Sequence, residues 1–221
     1  MGRGPINLSV IGLRYSYTMG AVRQVGKAGS FALSLFSCAS YDGIMRRSEA
    51  RWNIAVAKHD AAVREFIAAC ESCPQQDWHR APDGKWSAAA VALHVCNTYE
   101  LGRDAMGSGK GMRLIVSPRY AWALRTFVLP WIIATTRFPR ARAPREVVPG
   151  ENETKRLTLD AARTRLMGAA REACETMRRA GAAGSAPRMN HAYFGPLSPY
   201  SALRLLTAHT RHHARSLSRK S

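Results

Sequence analysis

The stretch "SPYSALRLLTAHTRHHARSL", Ser198–Leu217, decides the fold. Ser198 followed by Pro199 is a helix-start pair. The serine hydroxyl can cap free N–H groups, and a proline at the first helical position loses no hydrogen bond. Leu205, Leu206, His209, His213 and Leu217 then fall on one side at helical spacing, so the segment reads as an amphipathic helix with histidines on its inward face. His209 and His213 stand one turn apart on that face, and both imidazoles can reach one ion. His212 competes with them from position i+3, so the pair alone leaves the ligand set open.

Upstream, the same period recurs. Trp52, Val56, His59, Val63, Phe66 and Cys70 step by threes and fours from about Met45 to a stop at Pro74. His59 lies on this apolar face and reads as a core or rim residue rather than a ligand. A second helix opens at "DGKWSAAAVALHV", with Ser87 as its cap and an alanine run of high helix propensity. His94 shares the inward side with Ala90, Val91, Thr98 and Leu101. A third helix is expected from about Thr158 to Ala180, with Leu159, Ala162, Leu166, Ala169, Ala170 and Met177 along its apolar stripe. No stretch reads as a strand, and no internal repeat is found.

Between the second and third helices lies an insert. "GSGKG", Gly107–Gly111, lacks the Walker spacing and a preceding strand, so it reads as a helix-ending loop. "RYAWALRTFVLPWIIATTRF" is apolar, but Arg125 interrupts it and Pro130 bends it. Its uncharged run Thr126–Thr136 is too short to cross a bilayer, so it reads as a buried or interfacial helix. "FPRARAPREVVPGENE" follows as a proline-rich basic loop. The expected architecture is all-α: a four-helix bundle with an inserted apolar helix and a Pro-rich loop between the second and third main helices.

The chain has 221 residues, enough for one domain with a real core. Its formal charge of +18 attracts anions of many kinds, but no recognised nucleic-acid motif gathers the arginines, so no specific nucleic acid is expected. Five cysteines do not make a disulfide framework, and Cys70 and Cys73 form a lone C-x-x-C at a helix end. Reduced thiols in a cytoplasmic setting are the expectation. "SFALSLFSCAS", Ser30–Ser40, resembles a short signal h-region, and Ser37-Cys38 a lipoprotein site. The apolar run is short, and Phe36 is too bulky for that pattern. With Met19 and Met45 as alternative starts, residues 1–44 read as a poorly structured extension or a misassigned start, and 45–218 as the bundle.

His94 from the second helix, with His209 and His213 from the fourth, gives three inward imidazoles, provided that those helices are neighbours. Three histidines leave coordination positions open on a divalent ion, which could lower the pKa of bound water or hold a substrate thiol as thiolate. "GKWSAAAVALHV" resembles the opening of the second helix in the DinB-like superfamily of metal-binding bundles. "NHAYFGPLSPYSALRLLTAHTRHHARSL" resembles the closing segment of one of its branches, and "RFPRARAPREVVPGE" is similar to that branch's insert. The similarity runs from about Met45 to Leu217.

The resemblance implies a four-helix bundle with His94, His209 and His213 as ligands and His212 outside the ligand set. It implies a nickel or zinc ion, and for several relatives chemistry on low-molecular-weight thiols. Ser216 stands where the family often has Gln, and Ala192 replaces the usual Pro after His191, which puts the surroundings of the ligands in question. His191 and Tyr193 precede the last helix, where they either stand near the bundle mouth or pack as an aromatic plug with a turn glycine, the second being the preferred reading. Glu100, at i+6 from His94, is not squarely on the face a general base would need.

The expected function is metal-dependent transfer using a small thiol, or hydrolysis, on a small acidic or thiol-containing substrate in a bacterial cytoplasm. The alternatives are a non-catalytic metal-binding or stress-response bundle, for which a homodimer is one assembly, and a charge-driven polyanion binder.

Overall fold

A computed structural model describes residues 31–82, 84–109, 111–183 and 188–218, with side chains from residue 48 onward. The helices are α1 (Phe31–Glu71), α2 (Ala88–Ser108), α3 (Pro118–Ala123), α4 (Leu129–Thr135), α5 (Glu151–Arg156), α6 (Leu159–Ala182) and α7 (Pro199–Ser218). Two short strands, β1 (Met189–His191) and β2 (Gly195–Leu197), pair antiparallel with His191 opposite Gly195. From Ile44 onward the described residues form one unit. Helix α1 begins at Phe31, so the expected boundary near residue 44 falls inside it. Residues 1–30, the candidate start Met19 among them, lie outside the described residues, whereas Met45 lies within α1.

The main helices begin where their side chains satisfy free N–H groups. Ser87 Oγ accepts from Ala90 N, and Thr158 Oγ1 accepts from Ala161 N, both at 3.2 Å. Ser198 Oγ accepts from Ser201 N at 3.2 Å, with Pro199 first in α7. Such caps stabilise a helix by about 1 kcal/mol each. Helix α2 ends at Gly109, whose φ of +71° is the left-handed conformation that closes a helix without a Cβ penalty. The "GSGKG" segment therefore ends a helix, as its sequence suggests.

Helices α1, α2, α6 and α7 form an all-α bundle around α2. Ala88 through Cys96 is buried without a break, because small alanines let α6 and α7 approach α2 closely. The α6 stripe Ala162, Leu166, Ala169, Ala170, Ala173 and Met177 faces this core. The ring of Trp52 on α1 meets Tyr200 on α7 edge-on at 5.5 Å. Glu65 on α1 receives two hydrogen bonds from the Arg211 guanidinium on α7, at 3.0 and 3.1 Å.

The insert docks on α7 and on the β1–β2 hairpin. A π-turn over Leu124–Val128 joins α3 to α4. In a regular helix the ring of Pro130 would clash with the carbonyl four residues back, which here lies inside the π-turn, whose wider spacing lets the helix continue. Arg125, which the sequence presents as an interruption, donates to Phe194 O at 3.4 Å and Pro196 O at 3.2 Å. The expected absence of strands is corrected by the hairpin. Its strands have three residues each, too short for alternation to show, and its turn depends on Gly195 at φ +65°.

Candidate metal centre

His94 sits in the buried N-terminal half of α2, and His209 and His213 on the facing side of α7, one turn apart. Their Nε2 atoms converge. His94 Nε2 lies 3.2 Å from His209 Nε2, which lies 3.1 Å from His213 Nε2. All three candidate ligand atoms are within 4.8 Å of one another. At a metal–nitrogen length of about 2.05 Å, neighbouring ligands are about 2.9 Å apart in an octahedron and about 3.4 Å in a tetrahedron. The two short spacings fall between those limits, so the three histidines could hold an ion.

Proton accounting points the same way. His94 Nδ1–H donates to Val147 O at 2.8 Å, which fixes the tautomer and leaves Nε2 as a bare lone pair. His209 Nε2 can carry one proton and so can satisfy only one of its two nitrogen neighbours. Burial holds the pKa of His94 below its ordinary value. Burial, followed by the neighbouring His213 and His94, holds that of His209 well below. Both rings are therefore neutral near pH 7, the form that binds metals.

The surroundings are packed. Trp86 lies tilted against His94 with ring centres 4.9 Å apart, and Phe138 from the insert meets His209 edge-on at 5.6 Å. Phe138 also touches His212, 5.1 Å away, which stays outside the converging set. Behind the site, Thr210 Oγ1 donates to Leu206 O at 2.9 Å. The Tyr99 hydroxyl must then donate to Thr210 Oγ1, also at 2.9 Å, which ties α2 to α7 beside His209. Ser216 donates to His213 O at 2.9 Å, so this serine restrains the backbone of a candidate ligand. Val147, Phe138 and Trp86 were not legible as site neighbours. A main-chain carbonyl leaves no signature in sequence, and the two rings read only as apolar residues.

A family model for the DinB superfamily matches residues 58–217.

The chain belongs to the DinB superfamily.

That match spans both histidine-bearing helices and the insert, in keeping with the resemblance of its three segments. Comparison with curated proteins and with solved structures gives no match. Within this DinB bundle the other sequence candidates do not join the three converging histidines, although His191 is near enough to His209 to lower its pKa further. His59 is buried against Tyr99 at 5.5 Å, and Asp60 holds its Nδ1 at 3.0 Å. Glu100 accepts two hydrogen bonds from Arg165, at 2.7 and 2.8 Å, and is committed to that ion pair. His191 Nδ1 accepts from Tyr193 N and Phe194 N, and its ring stacks on Phe194 at 4.8 Å. That pattern is the aromatic plug expected of "YFG". Burial pushes the thiols of Cys70 and Cys96 up to about 12, so neither is a thiolate near neutrality. Among the described residues, no carboxylate or thiol joins the three histidines.

Proposed function

We propose that this DinB-superfamily protein binds one divalent metal ion through Nε2 of His94, His209 and His213 and acts on a small anionic or thiol-containing substrate. The observation that carries the reading is the pair of Nε2 spacings, 3.2 and 3.1 Å, with His94 anchored to Val147 O. An imidazole set of this kind suits zinc or nickel. The bound ion would supply Lewis acidity and would lower the pKa of a thiol or water taken into its open positions.

The residues bear on which substrate fits. Three neutral ligands leave the charge of a divalent ion uncompensated, and the chain around it has a formal charge of +18. Both favour an anionic partner such as a thiolate or carboxylate. Glu100 is held by Arg165, and no carboxylate stands with the histidines to take a proton from water. Thiol-dependent transfer asks less of the protein than hydrolysis, because the incoming thiol itself supplies the nucleophile. Phe138 and Trp86 would shield the ligands from bulk water. A low-molecular-weight thiol is accordingly the first expected co-substrate, and hydrolysis is the second reading.

Metal analysis of the purified protein beside the His94→Ala/His209→Ala/His213→Ala variant tests the site. The expected result is about one ion per chain, lost in the variant. Equal occupancy in both would overturn the assignment. With cobalt in place of the native ion, a small thiol should change the visible spectrum. A spectrum unmoved by thiol or azide would mean a closed site, and a metal that only ties α2 to α7.

A further inference from the structure

The insert has two faces, and the bundle uses only one. Ala121, Leu129 and Ile132 are buried, Arg125 is bonded to the hairpin, and Thr135 O accepts from Arg215 of α7 at 3.3 Å. The outward side is aromatic. Phe127 is 67% exposed, Tyr120 57%, Trp122 56% and Trp131 47%. The rings of Trp122 and Phe127 touch edge-on at 6.2 Å, brought into line across the π-turn. Trp131 follows Phe127 by one helical turn. Together these side chains expose on the order of 500 Å² of aromatic surface, the size at which a patch marks an interaction site.

Charge decides what that surface meets. From Gly109 to Gly150 the sequence has seven arginines and one lysine against a single acid, Glu146. Arg119 and Arg137 flank the helical segment and are exposed, as are Arg113, Arg140 and Arg142 nearby. A second copy of the chain would bring this cationic face against its like, within a molecule already at +18. Exposed tryptophan, phenylalanine and tyrosine in an arginine-rich segment match the boundary between anionic headgroups and acyl chains. There the indole and phenol rings sit at headgroup depth while guanidinium groups pair with phosphates. No helix among the described residues is long and apolar enough to cross a membrane, so the contact is peripheral.

We propose that the outer face of α3–α4, centred on Trp122, Phe127 and Trp131, docks the protein on the surface of an anionic lipid bilayer. The aromatic rings enter the headgroup layer, and the arginines of the insert supply the attraction to the lipid charge. The attraction weakens as salt is raised, whereas the apolar contribution persists.

The full-length protein is mixed with vesicles of phosphatidylcholine containing about one-third phosphatidylglycerol, and separately with pure phosphatidylcholine. Binding is read by co-sedimentation and by tryptophan emission. The expected result is co-sedimentation and a blue shift with the anionic vesicles alone, and quenching of that emission by lipids brominated on the acyl chain. The Trp122→Ser/Phe127→Ser/Trp131→Ser variant should keep its helical circular dichroism and lose about ten-fold or more in partitioning.

No co-sedimentation with anionic vesicles overturns the proposal. So does equal binding by the variant, which would mean charge alone, and so does bound protein whose tryptophans the brominated lipids do not quench. A patch-dependent dimer, or patch-dependent binding of a single-stranded oligonucleotide without vesicle binding, would give the face to another partner. Because bromolipid quenching is read on the unaltered protein, the test survives a variant that fails to fold.

Discussion

A single methyl group at Gly111 should loosen the insert from the hairpin. A Cβ placed there would lie 2.3 Å from Asn190 O, 2.7 Å from its N and 2.9 Å from its Cα, all backbone atoms with no rotamer to escape into. Restoring an ordinary contact means parting the two chain segments by about 1 Å. Two hydrogen bonds cross that junction, Met112 N to Asn190 O at 2.9 Å and Asn190 Nδ2 to Met112 O at 3.0 Å. A shift of this size breaks both, at about 1 kcal/mol each, and backbone strain adds about 1–2 kcal/mol. The expected loss for Gly111→Ala is therefore about 3–4 kcal/mol, or roughly 10 °C in Tm for a domain of this size. Gly168 is the matched control: it lies inside α6 and a Cβ there meets nothing within 4 Å, so Gly168→Ala should stabilise by about 0.5–1 kcal/mol. Thermal and urea unfolding of both variants beside the parent give the comparison. A Gly111→Ala protein melting within about 2 °C of the parent would refute the reasoning.

Tyr99→Phe removes the donor to Thr210 Oγ1 and should cost about 1–2 kcal/mol in urea unfolding while leaving metal content unchanged. A loss of the metal would mean that this pair positions the ligands as well as the helices. Stability of the metal-free protein should fall on acidification. Burial lowers the pKa of His59, His94 and His209, and takes His191 down to about 4. The unfolded chain takes up protons at these rings from about pH 6.5 downward while the folded chain refuses them. The urea midpoint should therefore drop between pH 6.5 and about 4, with little change from these groups above pH 7. A midpoint constant across that window would show that the rings are protonated in the folded state.

The bundle was legible because its signals are periodic and strong. The apolar stripes of α1 and α6, and the caps at Ser87 and Ser198, stand where the three- and four-residue spacing put them. His94 could be paired with His209 and His213 only by supposing that α2 and α7 are neighbours. That adjacency comes from packing of the alanine-rich α2, and no local pattern encodes it. The hairpin escaped because three-residue strands are shorter than the period that would reveal them. The anchoring of His94 escaped because Val147 acts through its main chain. The insert was readable as apolar and interrupted. Which of its faces is buried follows from the π-turn, which shifts the register of every residue after Leu124 and is invisible to a 3.6-residue count.

The candidate ligands are split unevenly along the chain, with 115 positions between His94 and His209. A ribosome adding about 5–20 residues per second needs roughly 6–24 s to travel from the first to the others. For that interval His94 has no partner on α7, and any ion it meets can be held by only one ring of the three. If the three histidines take an ion as proposed, its acquisition is a late event in the life of the chain, possible only once α7 has been made and has folded back along α2. Loading with the ion would mark a molecule whose distant segments have already found each other, so metal content can serve as a measure of completed folding in a freshly synthesised population.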